Sequence, residues 1–296
     1  MASEGKNITI IVISNRPKNF ADFIEQFREM LRDPPPIVAV VDDRLKFNSV
    51  STYDRVKFVE TKSKNFGYMT NLGRFFSETK YILTTFDDEK LDSDLKDLIS
   101  NFSYNGESFR VKIVTFFGDK QLKMWTKMAP RIFSKDVAFV RRVHETPLLK
   151  NKPIDLSKGT ITNYSYKGWN EYWAKAISTS KRESKSFRRF IDLAIAPLYW
   201  FFAYGQGRDG LLGLELLVSS LLYALLSWVN GIKGHRYLPL NQLENLFAKK
   251  KDELSAEERE YVSFCINKLK YSKTEAVLPI DEELEQLSSA FVQQNL

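Results

Sequence analysis

Cysteine is nearly missing. The only one in 296 residues is Cys265, so no intrachain disulfide is possible, and the chain suits a reducing compartment. Histidine occurs twice, at His144 and His235. The opening stretch MASEGKNITIIVIS has no positively charged segment followed by a long apolar one. Its apolar run, ITIIVI, is only strand-sized. No secretory signal is read, so any catalytic face is expected to be cytoplasmic. Internal repeats and low-complexity runs are also lacking. Acidic residues are outnumbered, 37 against 44 Lys and Arg, giving a net charge of +7 and a pI near 9.2. A basic balance fits an anionic partner: nucleic acid, an acidic membrane surface or a phosphorylated substrate. Nucleic acid is disfavoured. No basic helix interleaves base-reading residues, and the main basic cluster abuts an apolar segment.

What remains is a folding composition, 43% hydrophobic and 14% aromatic. Residues 8–13 form a continuous β-branched run, as in a strand covered on both faces. After the turn SNRP, FADFIEQFREML places Phe20, Phe23, Ile24, Phe27 and Leu31 on one helical face, and the prolines at 34–36 stop it. IVAVVDD (37–43), VKFVE (56–60) and YILTTF (81–86) read as further strands, with a helix over 66–79. Strands alternating with helices predict an α/β layer with a mainly parallel sheet. From residue 110 the rhythm changes. RVKIVTFF and DVAFVRRVHE are strand-like with no long helix between them, so an antiparallel portion is expected. Residues 164–189 read as helical and strongly basic. In the polar tail, Ser255 with Glu258 makes a capping box, and Asp281 is a further N-cap.

Two acidic clusters close predicted strands, Asp42–Asp43 and Asp87–Asp88–Glu89. Ligands of parallel sheets bind past the carboxyl ends of the strands. Three adjacent carboxylates repel one another and need compensation. Mg2+ or Mn2+ typically takes one or two protein carboxylates and fills its sphere with phosphate and water. On an extended backbone Asp87 and Glu89 point together; in a tighter turn Asp88 and Glu89 converge. The competing reading is a solvated acidic loop leading into the helix LDSDLKDLI, whose early acids favour the helix dipole. RRVHE, at 141–145, likewise reads either as a site or as a surface ion pair beside a structural histidine.

These segments carry a resemblance. ITIIVISNRP resembles the opening strand and Asn-Arg turn of family 2 glycosyltransferases. VAVVDD is similar to their second strand, whose closing aspartate holds the nucleotide base or ribose. NFGYMTN and YILTTFDDE resemble the Gly-containing helix and the LDADE metal strand. RIFSKDVAFVRRVHE looks like the RLF…VHE segment of bacterial lipopolysaccharide-core β-glucosyltransferases. TNYSYKGWNEYWAKAISTS is similar to their HYSY…Y segment, and FRRF…GRDGLLGLELLVSSLL to their tail. The likeness covers residues 7–234. The first metal-motif aspartate falls on Phe86 and the second on Asp88, and the HYSY histidine falls on Asn163. DDRLKF stands where a Ser-Gly-Ser turn is usual.

The resemblance implies a GT-A type, Rossmann-like mixed sheet flanked by helices, with a C-terminal helical membrane-associating region. Its segments divide as 1–165 catalytic, 166–237 membrane-associating and 238–296 helical tail. The implied activity is inverting transfer of a sugar from a nucleotide diphosphate, a UDP-sugar, to a membrane-linked glycan or lipid of the cell envelope. Asn15, Arg16, Asp42, Asn71, Arg141 and Arg142 would contact the donor. Asp87, Asp88, Glu89 and His144 would hold Mg2+ or Mn2+, which would neutralise the departing diphosphate. Glu145 would be the base, a role contributing roughly 10²–10⁴-fold. Tyr164, Tyr166 and Trp169 either line the acceptor side or belong to the core. A polyprenyl phosphate acceptor is the alternative within the fold. A catalytically degenerate membrane-bound scaffold is the alternative outside catalysis.

LLGLELLVSSLLYALLSWV (211–229) carries one charge, Glu215. As a helix it spans about 28 Å, close to a bilayer core. Its nine leucines contribute about −4.5 kcal/mol on an insertion scale, and an acid opposes with about +3. Insertion is nearly balanced. Glu215, Ser219, Tyr223, Ser227 and Asn230 form one polar ridge. Lys181, Arg182, Lys185, Arg188 and Arg189 precede the apolar region, and Lys233, His235 and Arg236 follow it. The expectation is a peripheral or monotopic protein on the cytoplasmic face of a membrane.

Overall fold

The computed structural model describes residues 7–28, 35–48, 55–140, 146–181, 183, 187–203, 209–231, 237–238, 244–245, 247–249, 251–271 and 278–279. In chain order the elements are β1 (Ile8–Ser14), α1 (Pro17–Arg28), β2 (Ile37–Val41), α2 (Arg44–Asn48), β3 (Val56–Glu60), α3 (Phe66–Phe75), β4 (Tyr81–Phe86), β5 (Glu89–Leu91), α4 (Ser93–Ser100), β6 (Ser108–Phe117), β7 (Lys120–Ser134), β8 (Phe139–Val140), β9 (Thr146–Pro147), β10 (Ile154–Tyr166), α5 (Trp169–Ser180), α6 (Phe187–Ala203), α7 (Leu211–Asn230) and α8 (Ala256–Tyr271). The result is a mixed α/β fold with one eight-stranded sheet in the order β3-β2-β1-β4-β7-β6-β10-β5.

The chain forms two compact units that interleave along the sequence. One contains Met1–Val111, Pro130–Gly159 and His235–Leu296; the other contains Lys112–Ala129 and Thr160–Gly234.

In the first unit β3, β2, β1 and β4 run parallel, and β7 joins β4 antiparallel. Every residue of β1 and β2 is buried, as their unbroken β-branched runs predict for strands covered on both faces. α1 buries Phe20, Phe23, Ile24 and Phe27; Leu31 and the end of the predicted helix lie outside the described residues. α3 starts where the Asn65 side chain accepts from the Tyr68 amide at 3.0 Å. It lies so close to the sheet that a Cβ on Gly73 would stand 2.6 Å from Ile11 Cγ2 and 3.0 Å from Val40 Cγ2. α8 returns from the far end of the chain to bury Tyr261, Val262 and Cys265 in this core. Its predicted capping box is present: Ser255 N donates to Glu258 Oε2 at 3.0 Å, and Glu258 N donates to Ser255 Oγ at 3.1 Å. Asp281 lies outside the described residues.

In the second unit β6 and β7 continue around the two-residue turn Gly118–Asp119, where Gly118 sits at φ 57°. Residues 164–166, predicted helical, are instead the end of β10, with the Gly118 amide donating to the Tyr166 carbonyl at 2.7 Å. The helix begins only at Trp169. Phe117, Leu122, Tyr172, Ala176 and Leu216 form the core, flanked by Tyr166 and Trp169. Tyr164 is exposed and stacks on Phe116 at 5.4 Å. α7 packs on both α6 and α5. The buried Asp209, just before α7, accepts from Lys123 N at 3.2 Å, and its carbonyl accepts from Lys120 Nζ at 3.0 Å.

Candidate functional site

The strand register sets the site. Ser14 of β1 pairs with Val41 of β2, Val41 with Glu60 of β3, and Ile13 with Phe86 of β4. The next residues of the four parallel strands, Asn15, Asp42, Thr61 and Asp87, therefore come off one edge of the sheet. β1 has β2 on one side and β4 on the other, so strand order reverses at β1. The crevice past such a reversal is where open α/β sheets bind ligands.

At that place the three acids meet two arginines. Asp87 accepts from Ser14 Oγ at 2.5 Å, from Arg16 Nε at 3.3 Å and from Arg16 Nη2. The same Nη2 donates to Asp88 Oδ2 at 3.1 Å. Glu89 turns the other way. Its Oε2 accepts from Thr85 Oγ1 at 2.8 Å and from the Phe86 amide at 3.1 Å, and its Oε1 accepts from Arg131 Nη2 at 2.6 Å. Residues 87–88 form a turn between β4 and β5. The period-two alternation stops there, so Asp87 and Glu89 do not point together, and Asp88 and Glu89 do not converge. Asp87 and Asp88 share Arg16 instead.

Burial explains the electrostatics. It pushes both the Asp87 and the Glu89 carboxyls above their ordinary values; Arg16 and Ser14 pull Asp87 back, and Arg131 pulls Glu89 back. Arg16 is half-buried, which alone would lower its pKa, but bonds and charge from Asp87 and Asp88 leave it raised. The cations that compensate the acidic run are thus guanidiniums.

The other predicted residues distribute as follows. Asn15 is exposed. Asp42, at the end of β2, accepts from Lys64 Nζ at 3.0 Å. Asn71 is fully buried; it donates to the Phe139 carbonyl at 2.8 Å and accepts from the Phe139 amide at 3.0 Å, which fixes β8 to α3. Arg141, Arg142, His144 and Glu145 lie outside the described residues. Ser14, Thr85, Lys64 and Arg131 were not singled out from sequence. Arg131 opens the RIFSKD segment, and the need to neutralise buried acids was the available signal.

The donor set fits a divalent ion only in part. Both oxygens of Asp87 and of Glu89 already accept from protein donors. Among the described residues no three His, Cys, Asp or Glu side chains gather as a metal cage. Asp88 is the more exposed acid, with 15% of its side chain open against 3% for Asp87 and 0% for Glu89. One carboxylate suffices where substrate phosphates complete the sphere.

No known protein-family profile matches the chain, and no curated protein does. Among solved structures it is similar to S. aureus TarS 1-349, with 10% identity, a TM-score of 0.37, and coverage of 74% of this chain and 80% of that one. The complex of TarS 1-349 with UDP-GlcNAc aligns at 12% identity and TM-score 0.38, over 75% and 81% of the two chains. The complex with UDP gives 12%, 0.35, 75% and 80%. Likenesses this distant carry no functional weight on their own.

Proposed function

We propose that the chain transfers a sugar, with inversion, from a nucleotide diphosphate donor to a membrane-linked glycan or lipid. The carrying observation is the cluster of Ser14, Arg16, Asp87 and Asp88 at the point where strand order reverses, one strand from Asp42. The ordered family 2 glycosyltransferase segments in the sequence support the same reading. Asp42 would hold the base or ribose of a UDP-sugar. Arg16 would turn its guanidinium from the two aspartates toward the diphosphate, a planar donor suited to phosphate oxygens. Asp88 would be the carboxylate that holds Mg2+ or Mn2+, which supplies positive charge to the leaving diphosphate. Glu145 would take the proton from the acceptor hydroxyl as its oxygen attacks the anomeric carbon in line. The protein would work at the cytoplasmic face of the membrane.

The test is a donor screen on the purified chain in detergent, with and without each ion. The readouts are thermal stabilisation and sugar-nucleotide hydrolysis. At least one UDP-sugar should stabilise the protein, and Asp88→Asn or Arg16→Ala should weaken that response at least tenfold. Silence toward every nucleotide sugar would overturn the proposal and favour a scaffold of the same fold.

A further inference from the structure

α7 is built inside out. Its inward side holds Gly213, Leu216, Leu217, Ser219, Ala224 and Ser227, all buried. Its outward side presents Leu211, Leu214, Val218, Leu222, Leu225 and Val229, each between 45% and 72% exposed. Of the polar ridge, Ser219 and Ser227 turn inward and Tyr223 is half-buried, its Oη donating to Glu183 Oε1 at 3.2 Å, whereas Glu215 and Asn230 stay exposed, Glu215 as the one charge on the outward side. Small and polar residues inside with leucine outside is the arrangement of helices that face lipid. α6 adds Ile195, Tyr199 and Phe202, exposed by 56%, 57% and 78%.

The geometry points to this outward face of α7 as a surface that sinks into one leaflet of an anionic bilayer without crossing it. Charge selects the occupant. The segment is bracketed by the exposed Lys181 and Arg188 and, in sequence, by Lys233 and Arg236. Anionic headgroups complement those charges, whereas a second copy would set like against like. By length and composition α7 is able to cross a bilayer. Two contacts oppose crossing. α7 packs along α5, whose other side carries exposed Asn170 and Ser178 and the Glu171–Lys175 ion pair at 3.3 Å. The α6–α7 connection is tied at Asp209 to Lys120 and Lys123 of β7. A spanning α7 would draw these polar groups into hydrocarbon, where unsatisfied polar groups are costly. This surface stands whether or not the acidic turn takes a nucleotide sugar.

The full chain, freed of detergent, is floated with vesicles of phosphatidylglycerol and phosphatidylcholine, and with phosphatidylcholine alone. Wild type should float with the anionic vesicles, and at least fivefold less with the neutral ones. The pair Val218→Asp and Leu222→Asp should stay at the bottom while still melting cooperatively, because both side chains lie on the outward side, 50% and 45% exposed. In membranes sealed with the cytoplasmic face outward, protease should remove tags from both termini. Equal flotation of the double variant, a protected C-terminal tag, or a wild-type dimer that the double variant splits while neither binds vesicles would each overturn the inference.

Discussion

Removing the Arg131 guanidinium would leave Glu89 buried and charged with no counterion. Arg131→Met should cost about 3 kcal/mol in unfolding free energy, the usual consequence of breaking one side of a buried pair. The pH dependence has a definite sign. The Glu89 carboxyl is already raised by burial. Such a group favours folding below its unfolded pKa, and that contribution is lost as pH rises through the folded one. Losing Arg131 raises Glu89 further, so the deficit in melting temperature should be widest at about pH 8 and narrow toward about pH 5. A deficit independent of pH would mean that Arg131 acts through packing on Phe86, whose ring lies 5.6 Å away. At this scale the acids were legible in the sequence and their partners were not. Charge repulsion shows that a cation is needed; only the folded register brings Arg16 and Arg131 to it. Cys265 was rightly read as unpaired, and burial pushes its thiol up to about 12, far from a nucleophile's range.

At the level of elements, α3 lies close against β1 and β2 at Gly73. Helix propensity alone would make Gly73→Ala favourable by about 1 kcal/mol. The added methyl meets Ile11 and Val40, so the substitution should instead cost about 1–3 kcal/mol, read by denaturant unfolding. A stabilised variant would show that the helix can lift from the sheet. Among the elements read correctly from sequence were the apolar strand runs of β1, β2, β3 and β4 and the helices α1 and α3. β7 was missed because its fifteen residues mix lysines with apolar residues and include Pro130, so no alternation marks them. The end of β10 was taken for helix because its aromatics run straight into the helical WNEYWAKA. The polar ridge of α7 was found by spacing, but spacing alone does not say which side of a helix the protein covers.

For the whole molecule, α8 near the C-terminus is part of the first unit's core. A chain ended at Leu254 would lose Tyr261, Val262 and Cys265, and with them roughly 5 kcal/mol of burial, comparable to the total stability of many domains. Such a chain should be insoluble or melt without a cooperative transition. A soluble, cooperatively melting product would show that the parallel sheet stands without its last helix.

The bond from Thr61 Oγ1 to Glu258 joins residues 197 positions apart. During synthesis the loop after β3 leaves the ribosome long before the carboxylate that completes it. Until then its buried hydroxyl has to be served by water, and the edge of the sheet beside β3 is open. The nascent protein thus spends most of its translation time without that bond, a window in which chaperone binding and premature aggregation compete.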